Sequence, residues 1–270
     1  MGRLFAMGGT AVLVLVLVLA AGVANAAEPV VSENSIGMKL VEIPAGNFTM
    51  GSPAGEKDRQ VNEQQVPVTI VKPFLIGQTE VTQGQWKAVM GTEPWKGQEY
   101  IKVGPNYPAT YVSWDDATAF CEALSTKEGK QYSLPTEAQW EYACRSGTQA
   151  AFSFGGDEAQ LSTYAWWGGI SGGGNAQNEP YAHEVALKKP NPVGLYDMHG
   201  NCWEWCNDYY AATLSGGNDP KGPVAGADRV IRGGSWDFRA FYCRSAYRNY
   251  RVPTYRNYFR SGFRVVRLSE

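Results

Sequence analysis

Asp197 and Glu204 flank a turn that carries Gly200. Two carboxylates beside a glycine-bearing turn that can bare backbone carbonyls form an oxygen-rich set. Calcium, a hard cation taking about six to eight oxygens, suits such irregular chain. The same two acids could instead cap backbone groups or pair with nearby arginines. There are five cysteines, Cys121, Cys144, Cys202, Cys206 and Cys243, and two histidines, His183 and His199. Neither histidine lies in a ligand-spaced pattern, which argues against zinc. An odd cysteine count leaves at least one thiol unpaired or intermolecular, and connectivity stays open. No Ser-His-Asp spacing or phosphate loop offers another reaction centre.

A second chemical feature is the segment from Arg229 to Arg267. It interleaves ten arginines with Trp236, Phe238, Phe241, Tyr242, Tyr247, Tyr250, Tyr255, Tyr258, Phe259 and Phe263. Arginine and large aromatic rings are enriched where proteins bind their ligands. Single-stranded nucleic acid is recognised by the same residue types, but a net charge of -2 argues against it. For Arg232, Arg244, Arg248, Arg256 and Arg264 the favoured reading is a buried framework paired with Asp115, Asp116, Glu137 or Glu141. The rings between them are left as the candidate contact surface.

The elements that must position these groups are short. Met38–Ile43 alternates as a strand, Pro44-Ala45-Gly46 turns and Asn47–Gly51 returns, which predicts a hairpin. Val66–Ile76 reads as a strand broken at Pro73. Ser113-Trp114-Asp115-Asp116 is a capping box leading a helix that ends at Gly129. Thr136-Glu137-Ala138-Gln139 is another, leading a helix that stops near Gly147. A weaker helix is expected from Thr82 to Met90. From Phe152 to Pro192 no period is sustained, and long irregular chain of this kind is usually functional or tied down. Gly262–Leu268 alternates as a terminal strand.

The N-terminus has Arg3, an apolar run from Ala11 to Ala21 and Val23-Ala24-Asn25-Ala26. This is the pattern of a secretory signal peptide over 1–26, cleaved after Ala26, with a linker over 27–35. The run is short for a bilayer span and no basic stop-transfer cluster follows, so no stable membrane insertion is expected. The roughly 240 residues that remain suffice for one core. With 31 glycines, 9 tryptophans and 15 tyrosines, amphipathic rings rather than long helices should fill it.

Several segments, in order, resemble the formylglycine-generating enzyme family, also called the sulfatase-modifying-factor family. They include Val41–Gly46 with Phe48–Gly51, Thr79-Glu80-Val81-Thr82, Leu134–Ala143, Gly194–Asn201, Trp203-Glu204-Trp205, Arg232–Trp236 and Gly262-Phe263-Arg264. The resemblance covers residues 36–270 as one domain. It implies an α+β variant of the C-type lectin fold with little regular structure. It also implies calcium ligands at the Asp197 side chain, the Gly200 and Cys202 carbonyls and the Glu204 side chain. A second calcium site of the family uses an asparagine that matches Trp166 here. The family's copper(I)-binding thiolates, soft ligands suited to that ion, fall on Ala240 and Ser245, so copper and formylglycine generation are not expected. Cys243 matches neither position, and Cys206–Cys243 is the candidate disulfide.

The C-terminal placement of the rings also resembles the variable region of proteins diversified by retroelements on this scaffold. The reading is therefore an exported module that binds an extracellular protein, peptide or small molecule, with no nucleic-acid partner. The alternative is a tailoring enzyme on the same scaffold, in siderophore maturation or sulfatase activation.

Overall fold

The computed structural model describes residues 1–2, 29–176, 179–256 and 260–268. From Arg3 on, the expected signal peptide lies outside the described residues, as do Tyr258 and Phe259. No helix among the described residues is long and apolar enough to cross a membrane.

The chain begins with β1 (Val31–Glu33), β2 (Lys39–Ile43), β3 (Gly46–Met50), β4 (Val66–Ile70) and β5 (Phe74–Gly77). Then come α1 (Gln83–Met90), α2 (Trp114–Glu128), β6 (Tyr132–Ser133), α3 (Glu137–Arg145) and the single turn α4 (Leu161–Tyr164). The C-terminal half adds β7 (Trp203–Tyr209), β8 (Gly217–Asn218), β9 (Arg229–Arg232), β10 (Asn249–Arg251), β11 (Ser261–Gly262) and β12 (Val266–Leu268).

Each main helix starts where its side chains can satisfy the first free amides. Thr82, Ser113 and Thr136 accept from the amide three residues on, and Gln85, Asp116 and Gln139 reach back. Such a cap contributes about 1 kcal/mol. α1 and α2 stop at left-handed Gly91 and Gly129, whereas α3 stops at Ser146, with φ 47°, one residue before the glycine expected to end it.

The strands form sheets ordered β1-β2-β5-β12-β6, β10-β9-β7-β11 and β3-β4-β8. The expected hairpin is therefore corrected. β2 pairs with β1 and β5, while β3 pairs with β4 in another sheet. Pro44 and Ala45 hand the chain from one sheet to the next instead of turning it back. Pro73 likewise separates β4 from β5, and the terminal segment splits between β11 and β12.

Rings do fill the core. Trp86 stacks on Phe120 at 5.6 Å, and Phe263 meets both edge-on. A second cluster gathers Val41, Phe74, Ile76, Trp140, Leu195 and Val230. Short sheets around large rings, joined by long irregular loops, make a mixed α+β fold of the lectin-like kind.

Candidate functional site

The C-terminal arginines build the frame of the site. Arg232 pairs with Glu141, and its Nε lies 3.4 Å from Glu137. Arg248 grips Glu137 with two bonds of 2.7 and 2.8 Å. Arg244 grips Glu63 at 2.7 and 2.8 Å and also reaches Glu56, partners that sequence spacing had not singled out. Arg256 pairs with Asp116 at the surface. Burial pushes the Glu141 carboxyl up, but Arg145 and Arg232 outweigh it and hold the group below its ordinary value. The buried-framework reading holds for Arg232, Arg244, Arg248 and Arg264, with Glu56, Glu63 and Glu204 added as anions. Arg256 makes an exposed pair and is not part of a buried frame.

On that frame the candidate contact rings divide. Trp236 is fully buried among Ala176, Ala182 and Cys202, so it is core rather than contact surface. Phe238, Phe241, Tyr242 and Tyr247 are half-buried; Phe238, Tyr242 and Tyr247 pack on buried Trp203, and Phe241 packs on Tyr242 and Tyr247. The Phe241 and Tyr242 centroids are 3.9 Å apart, and those of Tyr242 and Tyr247 are 4.9 Å apart. Burial, with Tyr242 beside it, pushes the Tyr247 phenol up to about 12, so it stays neutral. Tyr250, on β10, is exposed and stacks on Tyr210 at 4.1 Å. Tyr255 is exposed nearby in sequence.

Beside this ring cluster lies an open cleft of about 630 Å³, lined by Lys57, Asp58, Glu158, Trp167, Arg239, Ala240 and Phe241. Lys57, Glu158 and Trp167 come from sequence-distant loops and were not expected. Their only signal was that Trp167 immediately precedes the glycine-rich stretch 168–174.

Ala240 thus lines the cleft, but Ser245 does not. Ser245 is fully buried, and its Oγ stands 3.6 Å from the Cys144 thiol. His199 closes this interior cluster, with Nδ1 2.9 Å from the Cys243 carbonyl and Nε2 2.9 Å from the Ser153 hydroxyl. The two positions that resemblance assigns to the thiolate pair therefore do not line one cavity.

All five cysteines are free and buried. The expected Cys206–Cys243 bridge is not formed. Cys206 lies on β7 in the cluster around Trp140, whereas Cys243 packs with Phe152 and Leu161 in another. Burial pushes the Cys144 thiol up to about 12 and the Cys121 and Cys243 thiols higher still.

The Asp197–Glu204 turn is tightly built. Asp197, Gly200 and Asn201 have φ of 60°, 105° and 56°. A Cβ on Gly200 would sit 2.2 Å from the Trp166 carbonyl oxygen, so glycine is required there. Asp197 Oδ2 accepts the Ala186 amide at 2.8 Å, and its carboxyl group is hydrogen-bonded to that of buried Glu80. Two buried carboxyl groups beside a carbonyl-rich turn fit a hard cation. Glu204, however, is already engaged by Arg264 and Trp140. At the family's second calcium position, the Trp166 indole stacks on His183 at 3.7 Å with Lys188 3.8 Å from its face. A ring under an ammonium supplies no oxygen ligand.

Comparison with known proteins agrees with this architecture. The family described as a sulfatase-modifying factor enzyme 1-like domain matches residues 26–269. The chain is 31% identical over 258 residues to a formylglycine-generating enzyme of Streptomyces coelicolor, covering 75% of this chain and 80% of that one. It is 36% identical over 271 residues to that of Mus musculus, covering 80% and 71%. Among solved structures, Treponema denticola variable protein 1 matches with TM-score 0.77 and 32% identity over 89% of this chain and 100% of its own. PvdO from Pseudomonas aeruginosa matches with TM-score 0.80 and 29% identity, covering 90% and 99%. Motif order, lectin-like sheets and the arginine-framed C-terminal strand agree with these matches along nearly the whole described chain, which belongs to the sulfatase-modifying factor enzyme 1-like family.

Proposed function

We propose that this chain is an exported ligand-binding member of its family and not a formylglycine-generating oxidase. The observation that carries this reading is Ala240. A methyl group lines the cleft where resemblance would place a thiolate, and the remaining thiols are buried and protonated. What borders the cleft instead is Phe241, continuous with Tyr242, Phe238 and Tyr247. Half-buried rings held on a rigid frame give contact area at small entropic cost. Lys57 and Arg239 against Asp58 and Glu158 supply charges of both signs at the same mouth. The ligand is an extracellular protein, peptide or small molecule. The likeness to a structure named as a variable protein supports a face whose rings differ between copies of the scaffold.

Calcium is the cation we assign to the Asp197 turn, with the Gly200 and Cys202 carbonyls and Glu204 as the further ligands that resemblance implies. Its role there is structural, since it would tie down the irregular chain of the turn.

The test is a direct comparison of binding and turnover. The mature chain is incubated with copper(I), oxygen and a sulfatase-derived cysteine peptide, and the peptide is weighed by mass spectrometry. No formylglycine is expected. In parallel, immobilised wild type and the Phe241→Ala/Tyr250→Ala double variant are exposed to proteins released from the surface of the source cells. Loss of the retained species in the folded double variant supports the reading. Equal retention, or formylglycine formation, rejects it in favour of a tailoring enzyme.

A further inference from the structure

We propose that the ligand of the cleft is a peptide segment bearing a single carboxylate, which Arg239 receives, and that Asp58 takes a hydrogen-bond donor of the same segment. This rests on the binding reading above and names the class of ligand. Both residues are exposed and line the cleft. Of the ten arginines from Arg229 to Arg267, Arg239 alone has no partner among the described residues. Each of the others meets a carboxylate, a carbonyl, a side-chain amide or an aromatic ring. A guanidinium presents a planar fork that matches a carboxylate with two parallel bonds.

The cleft carries two charges of each sign, and one of each is already matched. Lys57 and Glu158 pair at 3.3 Å. Arg239 and Asp58 make no ion pair with each other, and the Asp58 carboxylate has no partner among the described residues. Their backbones are nevertheless held on one support. Arg239 precedes the 3-10 turn Ala240–Cys243 and its carbonyl accepts the Tyr242 amide at 3.0 Å, while Arg244 directly follows that turn. Arg244, buried and anchored on Glu63, donates through Nη2 to the Asp58 carbonyl at 2.9 Å. One framework guanidinium thus ties the chain carrying the open cation to the chain carrying the open anion. Charges fixed in advance bind a ligand with less ordering cost than charges on free loops.

This charge count selects among ligands. A carboxylate neutralises the one open cation. A phosphate, at about −1.5 to −2, exceeds it, and a polyanion would set further negative charge against Asp58 and Glu158. A wholly apolar ligand would take water from Arg239 and Asp58 and return no bond. An extended peptide meets each demand. It offers an acidic side chain or C-terminal carboxylate to Arg239, N–H donors to Asp58, and an adjacent apolar side chain to Phe241 and Trp167, which line the same cleft.

The experiment titrates the mature chain with three peptides, followed by ligand line broadening and saturation transfer in NMR. The probes are acetyl-Tyr-Glu-Gly-amide and its counterparts with glutamine or phosphoserine in place of the glutamate. The glutamate peptide is expected to bind about tenfold tighter than the glutamine peptide, the gain of a hydrogen bond to a charged group. Arg239→Gln should abolish that difference and leave the glutamine peptide unchanged. Asp58→Asn should tighten the phosphoserine peptide by removing a like charge. Both side chains are exposed, so both variants should melt as wild type does. Equal affinity for the glutamate and glutamine peptides, each weakened in Phe241→Ala, overturns the carboxylate proposal and leaves the cleft a binding site. Tighter binding of the phosphoserine peptide by wild type overturns the single-charge class. No binding of any peptide at millimolar concentration also overturns the proposal, and the binding reading then stands or falls on the surface-protein experiment above.

Discussion

The Cys144 thiol stands 3.6 Å from the Ser245 hydroxyl, and both residues are fully buried. The contact joins the last turn of α3 to the segment after the 3-10 turn at Ala240–Cys243, elements 101 residues apart. A sulfur in place of the oxygen would lie within reach of a bond.

Ser245→Cys is therefore expected to form a disulfide with Cys144 on air oxidation. The variant carries one cysteine more than wild type, yet should titrate one thiol fewer in denaturant. Closing so long a loop contributes about 2–4 kcal/mol. Thermal melting with and without reductant reads the gain. An added thiol that titrates, with no change in melting, would refute the juxtaposition.

Wild type itself should behave as a protein of buried free thiols. Because burial pushes the thiols up, Cys144 to about 12, thiolate is scarce at neutral pH. Folded protein is expected to be inert to a disulfide-exchange reagent, and all five cysteines should react in denaturant. Two thiols missing from the denatured count would reveal a bridge. A fast-reacting thiol in the native state would reopen the case for copper.

The arginine frame gives a sharper contrast. Arg248 is buried and holds Glu137 with two bonds, whereas Arg256 is 65% exposed where it holds Asp116. Arg248→Ala removes both short hydrogen bonds from the buried Glu137 carboxylate, leaving it only Arg232 at 3.4 Å, and should cost about 3 kcal/mol. Arg256→Ala loses a screened pair worth about 0–1 kcal/mol. Denaturant unfolding of both variants tests the ordering, and equal losses would contradict it.

These cases show where the sequence was readable. Helix starts were legible because a cap is a local event, written within four residues at Thr82, Ser113 and Thr136. The arginine framework was legible in kind, since buried guanidinium needs an anion, but Glu56 and Glu63 are 188 and 181 residues from Arg244. β2 and β3 looked like a hairpin because alternation reports two strands and is silent on which strands pair. Trp236 was misplaced because irregular chain has no period from which to read a buried face.

Asp208 offers a test by pH. It lies on β7, and its Oδ2 accepts the Glu137 amide at the first turn of α3, 2.9 Å away. A helix N-terminus favours a carboxylate, but burial and the neighbouring Glu137 dominate and push Asp208 up to about 7. In the unfolded chain the group titrates near its ordinary value of about 4. Between those two pH values the native state holds a proton that the unfolded state has released. Stability from this group is thus complete below about pH 4 and is lost as pH rises to about 7. Asp208→Asn keeps an oxygen for the Glu137 amide and cannot ionise. It should match wild type near pH 4 and exceed it at pH 8, by an amount on the order of 2–4 kcal/mol. Unfolding curves for the two proteins that run parallel from pH 4 to pH 8 would show that Asp208 titrates in the fold as it does outside it.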